Sequence, residues 1–564
     1  MTSVNNQLAT KYQQKTDKQH ILDNPDTYIG SIEKIDSEEW VYAEDKIIKK
    51  NIEFIPGLFK LFDEGIVNCR DHVIRMSQAI VNKQDNCLPV TYITINISDD
   101  GTITMINDGN GIDVAEHPEH KIWIPEMIFG HLRTSTNYDK TEKKIVGGKN
   151  GFGFKLVLIW SSYGYIETVD HTRGLKYKQE FLNNLNEIKK PSITKCKTKP
   201  YTKIVFKPDY SRYGIDNLTP DFISLLKKRV YDITAITNKT IKVKYNDNII
   251  PIKSFQQYID LYIGKKEETS RVYEEFNERW EYAVAISPAN EFLQISFVNG
   301  IHTAKGGKHV EYLLNQITRK LVEYIEKKKK VKVNTTSIKE QLILFLRCDI
   351  ENPSFDSQTK DYMNTPSQKF GSKCEISDKF IEKIAKMGVM DSACAITEIK
   401  ETKAAKKTDG NKSKNIRGIP KLTDANWAGT DKSKNCMIIF CEGDSAKAGI
   451  ISGLSSEDRN IIGVYPMKGK ILNVRGETNK KINENKEITE IKKILGLETG
   501  KTYKDLDHVY SSLRYGKVLF MTDQDLDGSH IKGLGINLFH SEWSSLIEIP
   551  GFIGFMNTPI LKAR

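Results

Sequence analysis

Cysteine is sparse in this chain and never paired at short range: eight are scattered over 564 residues, with no Cys-x-x-Cys. That spacing offers neither a zinc site nor a disulfide framework, so reduced thiols in an intracellular protein are expected. No apolar run approaches the roughly 20 residues a membrane helix needs. The opening Met1-Thr2-Ser3-Val4-Asn5-Asn6-Gln7 is too polar for a secretory leader. A nucleophile elbow is also missing, because Lys447 stands where Gly should follow Ser445 by two residues. The nearest approach to a Walker A loop, Gly496-Leu497-Glu498-Thr499-Gly500-Lys501-Thr502, is one residue short between its glycines. No fixed-period repeat is present. These absences argue against membrane, disulfide-scaffold, serine-hydrolase, P-loop and solenoid classes.

What is present is length and unevenly spread charge. A chain of this size implies several domains. Its formal net charge of +11 allows a polyanionic partner without requiring one. The densest basic run is Lys327-Lys328-Lys329-Lys330-Val331-Lys332. It is open to two readings, a solvated face or a loop that tracks phosphates. A polar, Lys-rich stretch over 401–417 reads as a linker.

Two acidic sites stand just past strand-like runs. Val518-Leu519-Phe520-Met521 leads into Asp523-Gln524-Asp525-Leu526-Asp527-Gly528, with a carboxylate at every second position. On a strand all three would share one face and repel one another, so a cation is expected there, and hard oxygen donors suit Mg²⁺. The alternatives are a solvated acidic turn and a Ca²⁺ loop. An EF-hand fails at its twelfth position, where Leu534 replaces the required Glu. Upstream, Met437-Ile438-Ile439-Phe440 runs into Cys441-Glu442-Gly443-Asp444. In open α/β sheets ligands gather at the carboxyl ends of strands, so Glu442 and the Asp cluster could share one metal site.

The N-terminal half carries a different pattern. From Leu58 to His72 the apolar spacing is helical, and Glu64, Asn68 and Asp71 fall at i, i+4 and i+7 on one face. Such a face is either solvated or able to supply a base, a metal ligand and an anchor. Met105-Ile106-Asn107-Asp108-Gly109-Asn110-Gly111 then reads as a strand end followed by a turn, with a hairpin as the simpler alternative. Val146-Gly147-Gly148-Lys149-Asn150-Gly151-Phe152-Gly153-Phe154-Lys155 precedes a helix-like segment, a backbone that can approach phosphates.

In this order, the acidic helix, the Asn-Asp-Gly-x-Gly turn and the Gly-rich lid resemble the ATPases shared by gyrase, Hsp90 chaperones, histidine kinases and MutL. Further segments narrow the resemblance to eukaryotic-type (type IIA) DNA topoisomerase II. They are His20-Ile21-Leu22, Pro25-Asp26-Thr27-Tyr28-Ile29-Gly30-Ser31, Pro125-Glu126-Met127-Ile128-Phe129-Gly130, Ser135-Thr136-Asn137-Tyr138, Ser357-Gln358-Thr359-Lys360 and Pro466-Met467-Lys468-Gly469-Lys470. The likeness runs from about Tyr12 to the last residues. Bacterial gyrase is a poorer match, since its acidic motif lacks the Gln at 524.

The resemblance implies an α+β and α/β multidomain chain. A GHKL-type ATPase domain, a mixed sheet covered by helices, would fill 1–245 together with an N-terminal arm. A transducer of ribosomal S5-like α/β fold would follow over 246–400, then a linker over 401–420. A TOPRIM α/β domain over 421–564 would be incomplete at its C-terminus. By the same resemblance Glu64 would be the general base for ATP hydrolysis and Asn68 would hold Mg²⁺. Asn107 would contact the adenine side, and Ser135, Thr136 and Asn137 the ribose and phosphate. Gly148, Lys149, Asn150, Gly151, Phe152, Gly153, Phe154 and Lys155 would form the phosphate lid. Gln358, Thr359 and Lys360 would reach the nucleotide from the next domain, and Tyr12 would reach it from a partner subunit. Glu442, Asp523 and Asp525 would hold catalytic Mg²⁺, with Asp527 as support or outer ligand. Lys327, Lys328, Lys329, Lys330, Lys468 and Lys470 are candidate DNA contacts.

The implied partners are double-stranded DNA, a second copy of the chain and a winged-helix region bearing the nucleophilic Tyr. That Tyr has no counterpart here, so a truncated enzyme or one subunit of a split one is expected. The implied location is the nucleus, or a cytoplasmic replication site or virion for a viral protein. A clamp that uses ATP only to close on DNA is the rival reading, and the acidic pair of sites argues against it. Four positions depart from the family's pattern: Gly65 for an aliphatic residue, Arg70 for a small one, His72 for Asn and Met467 for Leu. Gly65 is expected to weaken its helix by ~1 kcal/mol relative to Ala.

Overall fold

The computed structural model describes residues 15–132, 134, 144–147, 153–416 and 418–557. They form two compact units, 1–391 and 392–564.

The first unit opens with a two-stranded antiparallel ribbon, β1 (Ile35–Ala43) and β2 (Lys46–Phe54). Helix α1 (Pro56–Val81) follows, with Pro at its first turn, where the missing N–H costs nothing. A nine-stranded sheet comes next: β3 (Tyr92–Ile97), β4 (Ile103–Asp108), β5 (Ser161–Asp170), β6 (Leu175–Leu182), β7 (Glu187–Ile188), β8 (Ser192–Lys195), β9 (Tyr201–Pro208), β10 (Lys242–Tyr245) and β11 (Asn248–Ile249). The order is β11-β10-β3-β4-β9-β5-β6-β7, with β8 on β6. Among the described residues only β10 and β3 pair in parallel, so the sheet is mixed. Helix α2 (Gly153–Ile159) precedes β5, and α3 (Pro220–Ile236) packs against α1 and β1.

A second mixed sheet, ordered β12-β13-β16-β14-β15, is built from β12 (Arg271–Asn277), β13 (Trp280–Ile286), β14 (Leu293–Val298), β15 (Ile301–His302) and β16 (Leu342–Cys348). Helix α4 (Lys308–Lys329) crosses between β15 and β16. Ala283, Phe297 and Phe345 of this sheet join the same apolar core as Phe62, Ile93 and Phe206, so the two sheets share one interior.

Helix α5 (Met390–Lys407) extends into the stretch expected to be a linker. The residues beyond it are held as well: Gly410 N donates to Leu497 O at 2.9 Å, and Asp409 pairs with Lys492 at 2.9 Å. Lys, Glu and Ala are strong helix formers, which is why this polar stretch folds instead of trailing.

The second unit is a four-stranded, wholly parallel sheet in the order β18-β17-β19-β20. Its strands are β17 (Met437–Glu442), β18 (Ile462–Met467), β19 (Lys517–Thr522) and β20 (Ile553–Asn557). Helix α6 (Gly443–Gly453) leaves β17, α7 (Lys486–Leu495) lies between β18 and β19, and α8 (Leu526–Glu542) leaves β19. Strand β20 pairs with β19 at all five of its positions. Among the described residues no helix is long and apolar enough to cross a membrane.

Gly65 belongs to the packing of α1 on the sheet. A Cβ there would lie 2.6 Å from Met105 Sδ on β4. The long thioether occupies the space that an aliphatic side chain on the helix would fill.

Candidate functional sites

Glu64 and Asp71 lie on the buried face of α1, at 6% and 2% exposure, so this is not a solvated helix face. Glu64 is met from two directions. Lys60, one turn earlier on α1, places its ammonium 3.0 Å from Glu64 Oε1. Lys360, on the loop after β16, comes within 3.1 Å of the same oxygen. Lys360 is itself buried and has left-handed backbone, with φ 64°. Burial pushes the Glu64 carboxyl up, but Lys360 and Lys60 outweigh it against the opposing charge of Asp63, holding it below its ordinary value. Glu64 is therefore a buried, ionised carboxylate held by two ammonium groups. A Cβ on Gly153, the first residue of α2, would stand 2.8 Å from Glu64 Oε2.

Asn68 is half-buried one turn beyond Glu64. Asp71 accepts the Gly147 amide through both oxygens at 3.0 Å, and so anchors the start of the Gly-rich segment. That start is also tied to the second sheet. Asn352 N donates to Lys144 O at 2.9 Å, and Asn299 Nδ2 to Val146 O at 3.4 Å. Lys155 is buried and donates to Thr134 O at 2.8 Å, and burial lowers its ammonium to about 8. Phe154 turns into the core between Phe129 and Phe206. Gln358 and Thr359 are half-buried beside Lys360.

The turn after β4 is not a hairpin, because β4 pairs with β3 and β9 instead of a strand that follows it directly. Asp108 accepts the amides of Thr91 and Tyr92 at 2.6 and 3.0 Å, which leaves Asn107 buried at the strand end. Tyr12, Ser135, Thr136, Asn137, Gly148, Lys149, Asn150, Gly151 and Phe152 lie outside the described residues.

The departures from the family pattern have local partners. Arg70 Nη2 donates to Asp349 Oδ1 at 2.8 Å at the end of the second sheet. Burial takes His72 down to about 4, and the ring is neutral at physiological pH. Met467 fills the TOPRIM-like core at 1% exposure.

In the second unit the register explains the acidic edge. Cys441 is opposite Met521 and Glu442 opposite Met467, so Glu442 closes its strand while Asp523 and Lys468 follow the carboxyl ends of the two strands beside it. Glu442 is raised above its ordinary value by burial first, then by Asp523 and Asp525. Its Oε2 is buried without a hydrogen-bond partner. An orphaned carboxylate oxygen beside two like charges is a donor set that fits a hard divalent cation.

The expectation that Asp523, Asp525 and Asp527 line one strand face does not hold. Strand β19 ends at Thr522, Asp525 caps α8 by accepting Gly528 N at 2.7 Å, and Asp527 sits in the first helical turn. A cap captures the chain because the first N–H groups of a helix need acceptors. Asp527 pairs with Lys470 at 3.0 Å. The Lys468 amide donates to Glu487 Oε1 at 2.8 Å. The basic run is not a loop at its start either. Lys327, Lys328 and Lys329 form the last turn of α4, where cations suit the helix dipole, and Lys330 is the left-handed cap. Lys329 pairs with Asp391 at 3.3 Å.

Sequence reading passed over Lys60, Asp63 and Arg229. Lys60 also pairs with Asp63 at 3.0 Å, and Asp63 with Arg229 at 2.7 Å, all of them buried. A lysine flanked by Phe59, Leu61 and Phe62 was the available signal.

These two units define a class: a mixed-sheet nucleotide-binding fold with a second sheet on its base, followed by a parallel TOPRIM fold with an acidic carboxyl edge. Comparison agrees with that description. The family model described as DNA gyrase B matches residues 253–415 and that of the Toprim domain residues 437–548. DNA topoisomerase 2 of pea is 43% identical over 564 residues, 99% of this chain and 37% of the relative. The mimivirus enzyme of the same name is 45% identical over 567 residues, 99% of this chain and 44% of the relative. The solved ATPase region of Saccharomyces cerevisiae topoisomerase II is 41% identical with a TM-score of 0.64, covering 69% of this chain and 100% of that one. The chain belongs to the DNA topoisomerase II family. It spans less than half the length of the curated relatives described.

Proposed function

We propose that this chain is the ATP-operated, metal-bearing portion of a type II DNA topoisomerase, which passes one duplex through another and so relaxes and decatenates DNA. The contact of Glu64 with Lys360 carries the ATPase part of the reading, because it joins a buried carboxylate of the nucleotide fold to a cation from the second sheet. Glu64 takes the proton from the water that attacks the γ-phosphate. Lys360 leaves Glu64 to neutralise charge on that phosphoryl group as it transfers, helped by Gln358 and Thr359. Asn107 holds the adenine side and His72 borders it. Gly153 and Lys155 close the phosphate end. Asn68 would hold the Mg²⁺ that accompanies ATP.

Glu442, Asp523 and Asp525 would hold Mg²⁺ in the second unit, where the ion would supply charge stabilisation at the scissile DNA phosphate. Asp527, held by Lys470, acts as support. Lys468 contacts the DNA backbone, with the Lys327–Lys330 turn as a second phosphate contact. A second copy of the chain and the Tyr-bearing winged-helix region complete the machine. Its place of action is the nucleus or, for a virus, the replication site.

The test is Mg²⁺-dependent ATP turnover with and without duplex DNA, beside Glu64→Ala. DNA-stimulated turnover that Glu64→Ala abolishes supports the reading. Turnover that needs Glu64 yet ignores DNA favours a clamp without DNA chemistry, and turnover indifferent to Glu64 removes the base.

A further inference from the structure

Lys60 is an expensive residue to keep. It is 4% exposed in the middle of an apolar helix face, and a buried ammonium costs several kcal/mol unless it is well paired. Helix stability does not account for it, since Lys placed four residues before Glu is the weaker orientation of that pair. Its ammonium is shared between two carboxylates, Asp63 Oδ2 and Glu64 Oε1, each at 3.0 Å. Asp63 is in turn held by Arg229, whose Nη2 donates to Gly300 O at 2.7 Å. Lys60 thus stands on a rigid base and points at the same oxygen of Glu64 that Lys360 touches.

Charge balance gives this arrangement a purpose. Lys60, Lys360 and Arg229 face Asp63 and Glu64, an excess of one positive charge when Lys360 is docked. The adjacent Lys228 and Asp232 pair at 2.9 Å and cancel. When Lys360 departs for a phosphoryl group, the four residues left behind are neutral, and Glu64 is not stranded as an uncompensated buried charge.

We propose that Lys60 is a positioning residue for ATP hydrolysis: it holds Glu64 ionised and oriented during the interval in which Lys360 is on the nucleotide. The proposal rests on the reading of Glu64 as the base. Among the described residues the charged groups that act on Glu64 are Lys60 and Asp63 on its own helix and Lys360 from the loop after β16, and α2 packs Gly153 against it. Removing Lys60 therefore takes away the cation that stays on Glu64 once Lys360 has moved.

The experiment measures steady-state ATP turnover of the full chain across pH for Lys60→Met, Lys60→Arg and Glu64→Gln. Affinity for a fluorescent non-hydrolysable ATP analogue is measured alongside. Lys60→Met should lower kcat about 10- to 100-fold, the scale of a misplaced catalytic group. Analogue affinity should be unchanged, and the acid limb of kcat should move to higher pH because the base now protonates sooner. Lys60→Arg should return the limb to its original position. If Lys60→Met unfolds, Lys60→Gln replaces it, keeping a donor and dropping the charge. An acid limb that stays where the unmodified chain has it overturns the proposal, as does an affinity that falls in step with kcat. Hydrolysis that survives Glu64→Gln instead removes the base assignment itself, whatever the Lys60 variants do.

Discussion

Lys360 Nζ lies 3.1 Å from Glu64 Oε1, although 296 residues separate the two in sequence. A buried cation from one sheet domain therefore neutralises the carboxylate proposed to activate water in the other. Glu64→Gln should keep nucleotide binding and lower kcat about 10²- to 10⁴-fold, the usual span for a lost general base. Lys360→Met should lower kcat as well, by about 10²-fold, through lost stabilisation of the transferring phosphoryl group. Single-turnover hydrolysis beside analogue binding separates the two effects.

Gly153 has no room for a side chain on the Glu64 side. Gly153→Ala would press a methyl group against Glu64 Oε2, which two lysines prevent from swinging away. The variant should melt within a few degrees of the parent and lose turnover about 10-fold or more, as a displaced base does. Parent-level turnover would show that the carboxylate can move aside.

At Gly65, helix propensity and packing oppose each other. Alanine gains up to ~1 kcal/mol for the helix, but its Cβ meets Met105 Sδ at 2.6 Å. Overpacking costs about 1–3 kcal/mol and wins. Gly65→Ala should lower Tm, and Met105→Val in the same chain should recover part of the loss. A rise in Tm for the single variant would contradict this account.

Much of this was legible beforehand, and the exceptions have a common cause. The 3.6-residue period put Glu64, Asn68 and Asp71 on one face, and β17 and β19 announced themselves as apolar runs ending in acid. Lys60 was passed over because a lysine on an amphipathic helix ordinarily marks the wet side; its apolar neighbours Phe59, Leu61 and Phe62 hinted at burial, but only its two carboxylate partners show what it does there. The alternation of Asp523, Asp525 and Asp527 imitated a strand, yet the capping demand of α8 took the backbone over after Thr522. The exchange of bulk between Gly65 and Met105 joins positions forty apart, which no local pattern encodes. Lys327 to Lys329, open to a solvated face or a loop by charge, fold as a helix end by dipole.

Acid should weaken the nucleotide unit in a defined way. Burial raises Asp63, but Lys60 and Arg229 outweigh it, and Glu64 is likewise held below its ordinary 4.5. A carboxyl depressed in the folded state stabilises fully above its unfolded value and loses that contribution as pH falls through its folded one. Urea midpoints should hold from pH 7 to about 5 and fall steadily below about 4.5. In Asp63→Asn this decline should be shallower. An equal slope in the variant would assign the acid sensitivity elsewhere.

Glu442 offers the matching test in the second unit. Crowded by Asp523 and Asp525, it should release strain when a divalent cation binds. Mg²⁺ should therefore raise Tm of the unmodified chain, by an amount that grows with concentration. Glu442→Gln relieves the repulsion, so that variant should gain stability without Mg²⁺ and lose most of the Mg²⁺ response. Identical melting curves for the two chains in the presence and absence of Mg²⁺ would exclude Glu442 as a ligand.

The backbone tie between Asn352 and Lys144 has a thermodynamic consequence. The second sheet holds the Gly-rich segment at its root and also supplies Lys360 from the loop after β16, so it grips the proposed nucleotide site twice. If nucleotide binds there as proposed, a ligand on the second sheet that shifts this loop must change the affinity for nucleotide. By reciprocity, nucleotide must change the affinity for that ligand by the same factor. Coupling of this kind needs no third element to carry it, and its size is measurable from either side.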